Sequence, residues 1–167
     1  MSKSIGVFID ISNIYHCLSN RYNERTLDYS AYLRFLEPIG KVKTAIAYGV
    51  LVGRGANAFR GQLTHLGFET KYKRPNSHFK CDWSVGMSVD LMGLTKDLDI
   101  IVLGSANGNM APCITKLQEE GKNCIILASN ISAELRKVAN KTIEIPESLL
   151  EVPTESQLLR RSKDAGA

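Results

Sequence analysis

The run Ile5-Gly6-Val7-Phe8-Ile9 closes on a carboxylate, Asp10, and an amide, Asn13, follows where a helix should begin. An apolar run of strand length with this ending reads as a buried parallel strand whose C-terminal end presents Asp10 and Asn13 to a cleft. In open α/β sheets, ligands bind in the crevice beyond the carboxyl ends of the strands. The fold and the site are therefore expected to meet at Asp10.

Other apolar runs repeat the pattern. Lys43 to Val52, Leu98 to Gly104 and Asn123 to Ala128 read as buried strands, and the most hydrophobic of them, Leu98 to Gly104, is expected at the centre. Phe68 to Lys73 alternates apolar or Thr against charged residues, as a half-exposed edge strand does. Thr142 to Ile145 could add another edge strand.

Helical spacing links these strands. It occurs at Asn13 to Asn20, after Asp28 or Ser30, around Phe59 to Leu66, from Asp82 to Leu94, from Met110 to Glu120 and from Ser132 to Val138. In the second of these helices Tyr32, Leu33, Phe35 and Leu36 are expected to face the core. The helix opened by Asp82 has Trp83, Met87, Leu91 and Leu94 on one face and Val85, Val89 and Met92 on another, so it is expected to be buried on both sides.

The fold class that follows is α/β: a doubly wound, mainly parallel sheet of five or six strands flanked by helices in three layers. One domain is expected at 1–146, with a mobile tail at 147–167. At 167 residues the chain can bury roughly 70% of its unfolded surface without a metal or disulfide staple. Its four cysteines show no C-x-x-C spacing and read as reduced thiols. The first residues lack the apolar core of a secretory leader, and no run approaches the ~18 apolar residues of a membrane span. A cytoplasmic protein with no membrane partner is expected.

Three places supply polar residues to one crevice in such a fold: Asp10 and Asn13, the start of the helix at Asp82, and Ser105 to Asn109 after the central strand. Carboxylates clustered there would hold Mg²⁺ or Mn²⁺ through oxygen ligands and serve phosphodiester chemistry. Dinucleotide loops, phosphate-loop lysine motifs and G-x-S-x-G elbows do not occur in the sequence. The formal charge of +4 permits a nucleic-acid partner without demanding one. Lys71, Lys73, Arg74, His78 and Lys80 interleave with Tyr72 and Phe79, a composition suited to following a phosphate backbone while rings stack on bases, and equally to a charged edge strand and its solvated loop. Arg54 and Arg60 flank another strand end and could reach a phosphate.

V-F-I-D-I-S-N at 7–13, K-C-D-W-S-V-G-M-S-V-D at 80–90 and L-G-S-A-N-G-N-M at 103–110 resemble, in order, the three motifs of NYN domains, the LabA-like branch of the PIN-like nucleases. The resemblance implies a metal-dependent ribonuclease site acting on single-stranded RNA. Asp10 and Asn13 match its first motif. Ser84, Asn107 and Asn109 stand at positions that are usually acidic, so Asp10 and Asp82 are the carboxylates left to bind metal, with Asn107 and Asn109 at catalytic positions.

Asn13, Ser84, Ser105, Arg54, Lys73, Arg74 and Lys80 are the candidate substrate contacts. An Asn carbonyl can ligate a hard cation but brings no charge. Asp90, eight residues beyond Asp82 and so about 12 Å along a helix axis, cannot readily compensate and is expected to face a packed polar neighbour or a separate part of the groove. Three readings follow: an RNA-binding domain with weak or no cleavage and weakly bound or no Mg²⁺ or Mn²⁺, an active ribonuclease using Asp10 and Asp82, and a non-catalytic nucleotide- or protein-binding module. The exposed edge strand also allows a homo-oligomer.

Overall fold

A computed structural model describes residues 1–75, 81–156 and 158–159. Six strands form one sheet: β1 (Ser4–Asp10), β2 (Lys41–Val50), β3 (Glu69–Lys73), β4 (Ile100–Gly104), β5 (Asn123–Ala128) and β6 (Lys141–Glu144). Every pairing is parallel and the order is β3-β2-β1-β4-β5-β6. The chain thus winds outward from β1 in one direction and then, starting at β4, in the other. The boundary between β1 and β4 is the topological switch point, where a crevice opens beyond the strand ends.

Helices α1 (Ile11–Tyr22), α2 (Tyr29–Leu36) and α3 (Ala56–His65) join β1, β2 and β3, while α4 (Ser84–Leu94), α5 (Ala111–Glu119) and α6 (Ala133–Val138) serve the β4 to β6 half. The first group packs on β1, β2 and β3, and α4, α5 and α6 pack side by side. Both faces of the sheet are therefore covered, which is why β1 is buried at every position and β4 likewise. Each strand can then be a continuous apolar run. The strongly apolar β4 lies centrally beside β1, and β3 and β6 are the edges.

Local chemistry sets the helix ends. Asp28 caps α2 by accepting from Ala31 N at 2.9 Å, and Ser132 caps α6 by accepting from Leu135 N. Gly121, at φ +83°, turns the chain out of α5 into β5, a conformation that side chains with a Cβ disfavour.

Some expectations need correction. Phe35 is not a core residue but lies exposed on α2, because Tyr32 and Leu36 already fill the face toward the sheet. Helix α4 is not buried on two sides: Met87 and Leu91 face the interior, while Val85, Val89 and Met92 are 78%, 66% and 40% exposed. Nor does Asp82 open that helix, since Trp83 precedes its first turn without a side-chain cap.

Packing also continues past Pro146. Leu149 and Leu150 are buried, Leu27 and Leu150 form an antiparallel bridge, and Arg25 holds the segment through the Glu151 carbonyl and an ion pair with Glu147. Arg160, Arg161 and Lys163 lie outside the described residues. No helix among the described residues is long and apolar enough to cross a membrane.

Candidate functional site

Register brings the strand ends level. Asp10 pairs with Tyr48 of β2, and Ile9 with Gly104 of β4, so the loop after β4 begins at Ser105, level with Asp10. A crevice of about 500 Å³ opens there, lined by Asp10, Asn13, Asp82 and Asn107 and also by Ser12, His16 and Cys81.

Asp10 ends β1 and caps α1: its carboxylate accepts from Asn13 N at 3.1 Å. It is 8% exposed. Burial raises its pKa above the ordinary carboxylate value, the Asn13 N–H partly offsets this, and the negative charge of Asp82 raises it further. Asn13 reaches the other way, and its Oδ1 accepts from Ala106 N at 2.8 Å. This bond ties α1 to the loop after β4 and fixes the amide of a residue that lines the crevice.

Asp82 is exposed. One of its oxygens accepts from both Ser84 N at 2.7 Å and Ser84 Oγ at 2.6 Å. These two bonds hold its carboxyl below the usual range. Ser84 is buried and its Oγ also accepts from Asn107 Nδ2 at 2.9 Å. Asn107 Oδ1 in turn accepts from Asn109 N at 3.0 Å, capping the short 3-10 turn Gly108–Met110. Asp82, Ser84 and Asn107 therefore form one hydrogen-bonded chain, with Asp82 its single charge. Among the described residues, no three His, Cys, Asp or Glu side chains gather closely enough to share a metal ion.

The remaining candidates are distributed around this chain. Ser105 is only 1% exposed, and its Oγ accepts from Asn107 N, so it shapes the loop beneath the crevice rather than facing into it. Asn109 is exposed and lines, with Ser84, Val85, Val89 and Met92, a separate groove of which Asp10 is not a wall residue. Lys73, at the end of β3, donates to the Asp82 carbonyl, with its ammonium 4.3 Å from the centre of the Trp83 ring. Arg54 and Arg74 are exposed on loops after β2 and β3. Lys80, with His78 and Phe79, lies outside the described residues. Arg60 donates to Thr70 Oγ1 and stacks its guanidinium over Tyr72 on the edge strand.

Behind the crevice, Asp90 accepts from Tyr48 Oη and from Lys71 Nζ, each at 2.7 Å. It faces polar neighbours between α4 and the sheet. Trp83 donates from Nε1 to the Gly49 carbonyl at 2.9 Å and meets the Tyr48 ring edge-on. Gly49 lies under the ring of Tyr72, where a Cβ would come within 2.6 Å of ring carbons. These contacts fasten the start of α4, and with it Asp82 and Ser84, to β2.

Sequence reasoning left Ser12, His16 and Cys81 out of the site. The spacing was available for two of them: Ser12 and His16 are four residues apart, and His16 follows Asn13 by three, which places them on one side of α1. Cys81 had only its adjacency to Asp82.

An all-parallel, three-layer α/β domain with an acidic and amide crevice at the switch point is of the PIN-like class. The chain belongs to the NYN domain family, whose profile matches residues 4–149. Among solved structures, a Vibrio parahaemolyticus protein of unknown function superposes with a TM-score of 0.82 at 23% identity, covering 90% of this chain and 97% of that one, a likeness of fold. No curated protein matches the chain in sequence.

Proposed function

We propose that this NYN domain binds single-stranded RNA along the crevice between β1 and β4 and cleaves it weakly or not at all. One observation carries the reading. Where a divalent ion would need charged oxygens, the Asp82-Ser84-Asn107 chain is already closed by its own hydrogen bonds and holds two neutral members. Mg²⁺ is bound through carboxylates, retained waters and substrate phosphates in near-octahedral geometry. Here Asp10 is buried with a raised pKa, and Asp82 spends an oxygen on Ser84. That donor set does not fit the metal on which the family generally relies.

The same surroundings suit a phosphodiester without a metal. Asn13 lines the crevice, Lys73 is near enough for its charge to favour ionised Asp10 and Asp82, and Arg54 and Arg74 are exposed on the loops after β2 and β3. Lys73 uses one of its three N–H donors on the Asp82 carbonyl, which leaves two for a phosphate. The Trp83 face beneath it keeps the ammonium at the rim.

Binding of a labelled single-stranded RNA in the presence of a chelator tests this. Removing one cation that neutralises a phosphate should reduce the slope of log affinity against log salt by about 0.7. Lys73→Ala and Arg54→Ala are each expected to lower affinity and reduce that slope. RNA binding that appears only when Mn²⁺ is added, or a slope unchanged in both variants, overturns the proposal.

A further inference from the structure

A cavity of about 950 Å³ lies between α1, α2 and α3 beyond the end of β2. It is the larger neighbour of the crevice and shares four wall residues with it: Ser12, His16, Val50 and Val52. The geometry points to a nucleobase pocket: a base unstacked from the RNA strand enters this cavity with its ribose, while the adjoining phosphate stays in the crevice. This assignment rests on the proposed RNA reading for its phosphate half and on the cavity alone for its base half.

Three features select the occupant. The first is size, because pockets for small organic ligands span about 300 to 1,000 Å³. The second is the wall. Phe59 and Tyr29 meet edge-to-face with ring centres 5.5 Å apart, and Leu63 and Leu66 continue the apolar surface. Ser12, His16, Ser30 and Gln62 add hydrogen-bonding groups that a heterocycle can use and a hydrocarbon cannot.

The third feature is the division of charge. No Lys or Arg is among the described residues lining the cavity, whereas Asp28 and Glu151 are. An anion is therefore disfavoured inside, and Lys73, whose charge acts on Asp10 and Asp82, stands on the crevice side. A nucleotide has this polarity, with a neutral aromatic base joined to a charged phosphate. Base-aromatic contacts tolerate different sequences because every base has a π-face.

The test uses the full chain, a fluorescent single-stranded RNA and a set of the same RNA with one abasic position moved along it. Leu66→Trp and Gln62→Trp place bulk at the cavity wall from positions on or just after α3 that are already partly or fully exposed, and thermal melts verify that both variants fold. Abasic substitution at one position is expected to weaken binding about five- to a hundredfold. Both Trp variants are expected to bind weakly and to lose that dependence. A parallel titration of the four free ribonucleosides, followed by saturation-transfer NMR, reads the cavity without phosphate.

RNA bound equally well at every abasic position and by both Trp variants overturns the pocket and leaves the RNA reading standing. Ribonucleosides that saturate the wild type and not Leu66→Trp, with no RNA bound, uphold the pocket and overturn the RNA reading. Binding of neither overturns both.

Discussion

Replacing Asp10 separates the structural role of this residue from its charge. Its carboxylate caps α1 through Asn13 N, yet it is 8% exposed and has its pKa raised chiefly by burial. A folded-state pKa above the ordinary 3.8 means that folding favours the protonated form. That contribution to stability is complete below the unfolded value and is lost as pH rises through the folded one. At pH 7 the ionised Asp10 therefore counts against the fold, while its cap counts for it.

Asp10→Asn keeps an acceptor for the Asn13 N–H and removes the charge; Asn is as good a cap as Asp. Asp10→Ala removes both. The Ala variant is expected to lose about 1 kcal/mol of capping, or roughly 2–4 °C in Tm for a domain of this size. The Asn variant should melt at or above the wild-type temperature at pH 7, and this margin should narrow as pH falls toward 4. Melts followed by circular dichroism at several pH values measure both. If Asn lowers Tm at pH 7 as much as Ala does, the charge has a favourable partner in the crevice, and the reasoning from burial is wrong.

Ser84→Ala removes the hydroxyl bond that lowers the Asp82 pKa, so the Asp82 titration followed by NMR should move up toward the ordinary carboxylate range. The stability that Asp82 contributes is present above its unfolded pKa and lost as pH falls through the lower folded value, so the variant should give up its advantage mainly above pH ~4. On α4, Met87→Ala should cost about 2–5 kcal/mol in chemical denaturation, whereas Val85→Ser and Val89→Ser, on the exposed face, should each stay within about 0.5 kcal/mol. Asp90→Ala strips Tyr48 Oη and Lys71 Nζ of a shared acceptor and should cost about 1–3 kcal/mol in the same assay.

What could be read from the sequence follows from what burial imposes on it. Strands covered on both faces must be apolar throughout, so β1, β4 and β5 stand out as runs, and the half-exposed β3 as an alternation. Asp10 is legible because a carboxylate at the end of such a run needs partners. Helix α4 misleads because periodicity reveals which residues share a face and not whether anything covers it: Val85, Val89 and Met92 are in register with one another and open to solvent.

Leu149 and Leu150 escape notice for a different reason. They sit in a single 3-10 turn and one isolated bridge, too short for any period to show. Ser105 looks like a site residue by its place after β4, but the strand end buries it under the loop it supports. The cavity between α1, α2 and α3 is assembled from segments separated along the chain, and nothing local in the sequence marks it.

On the proposed reading, neutral Ser84 and Asn107 leave this site short of the charge a divalent ion needs. The most direct test is cleavage of labelled single-stranded RNA in Mn²⁺, with a chelator control, by the chain as it stands and by a Ser84→Asp, Asn107→Asp double variant, alongside Mn²⁺ titration by calorimetry. The unsubstituted chain is expected to show little or no metal binding and no chelator-sensitive cleavage, and the double variant to gain Mn²⁺ affinity. Cleavage by the unsubstituted chain that chelator and Asp10→Asn both abolish would contradict this reading.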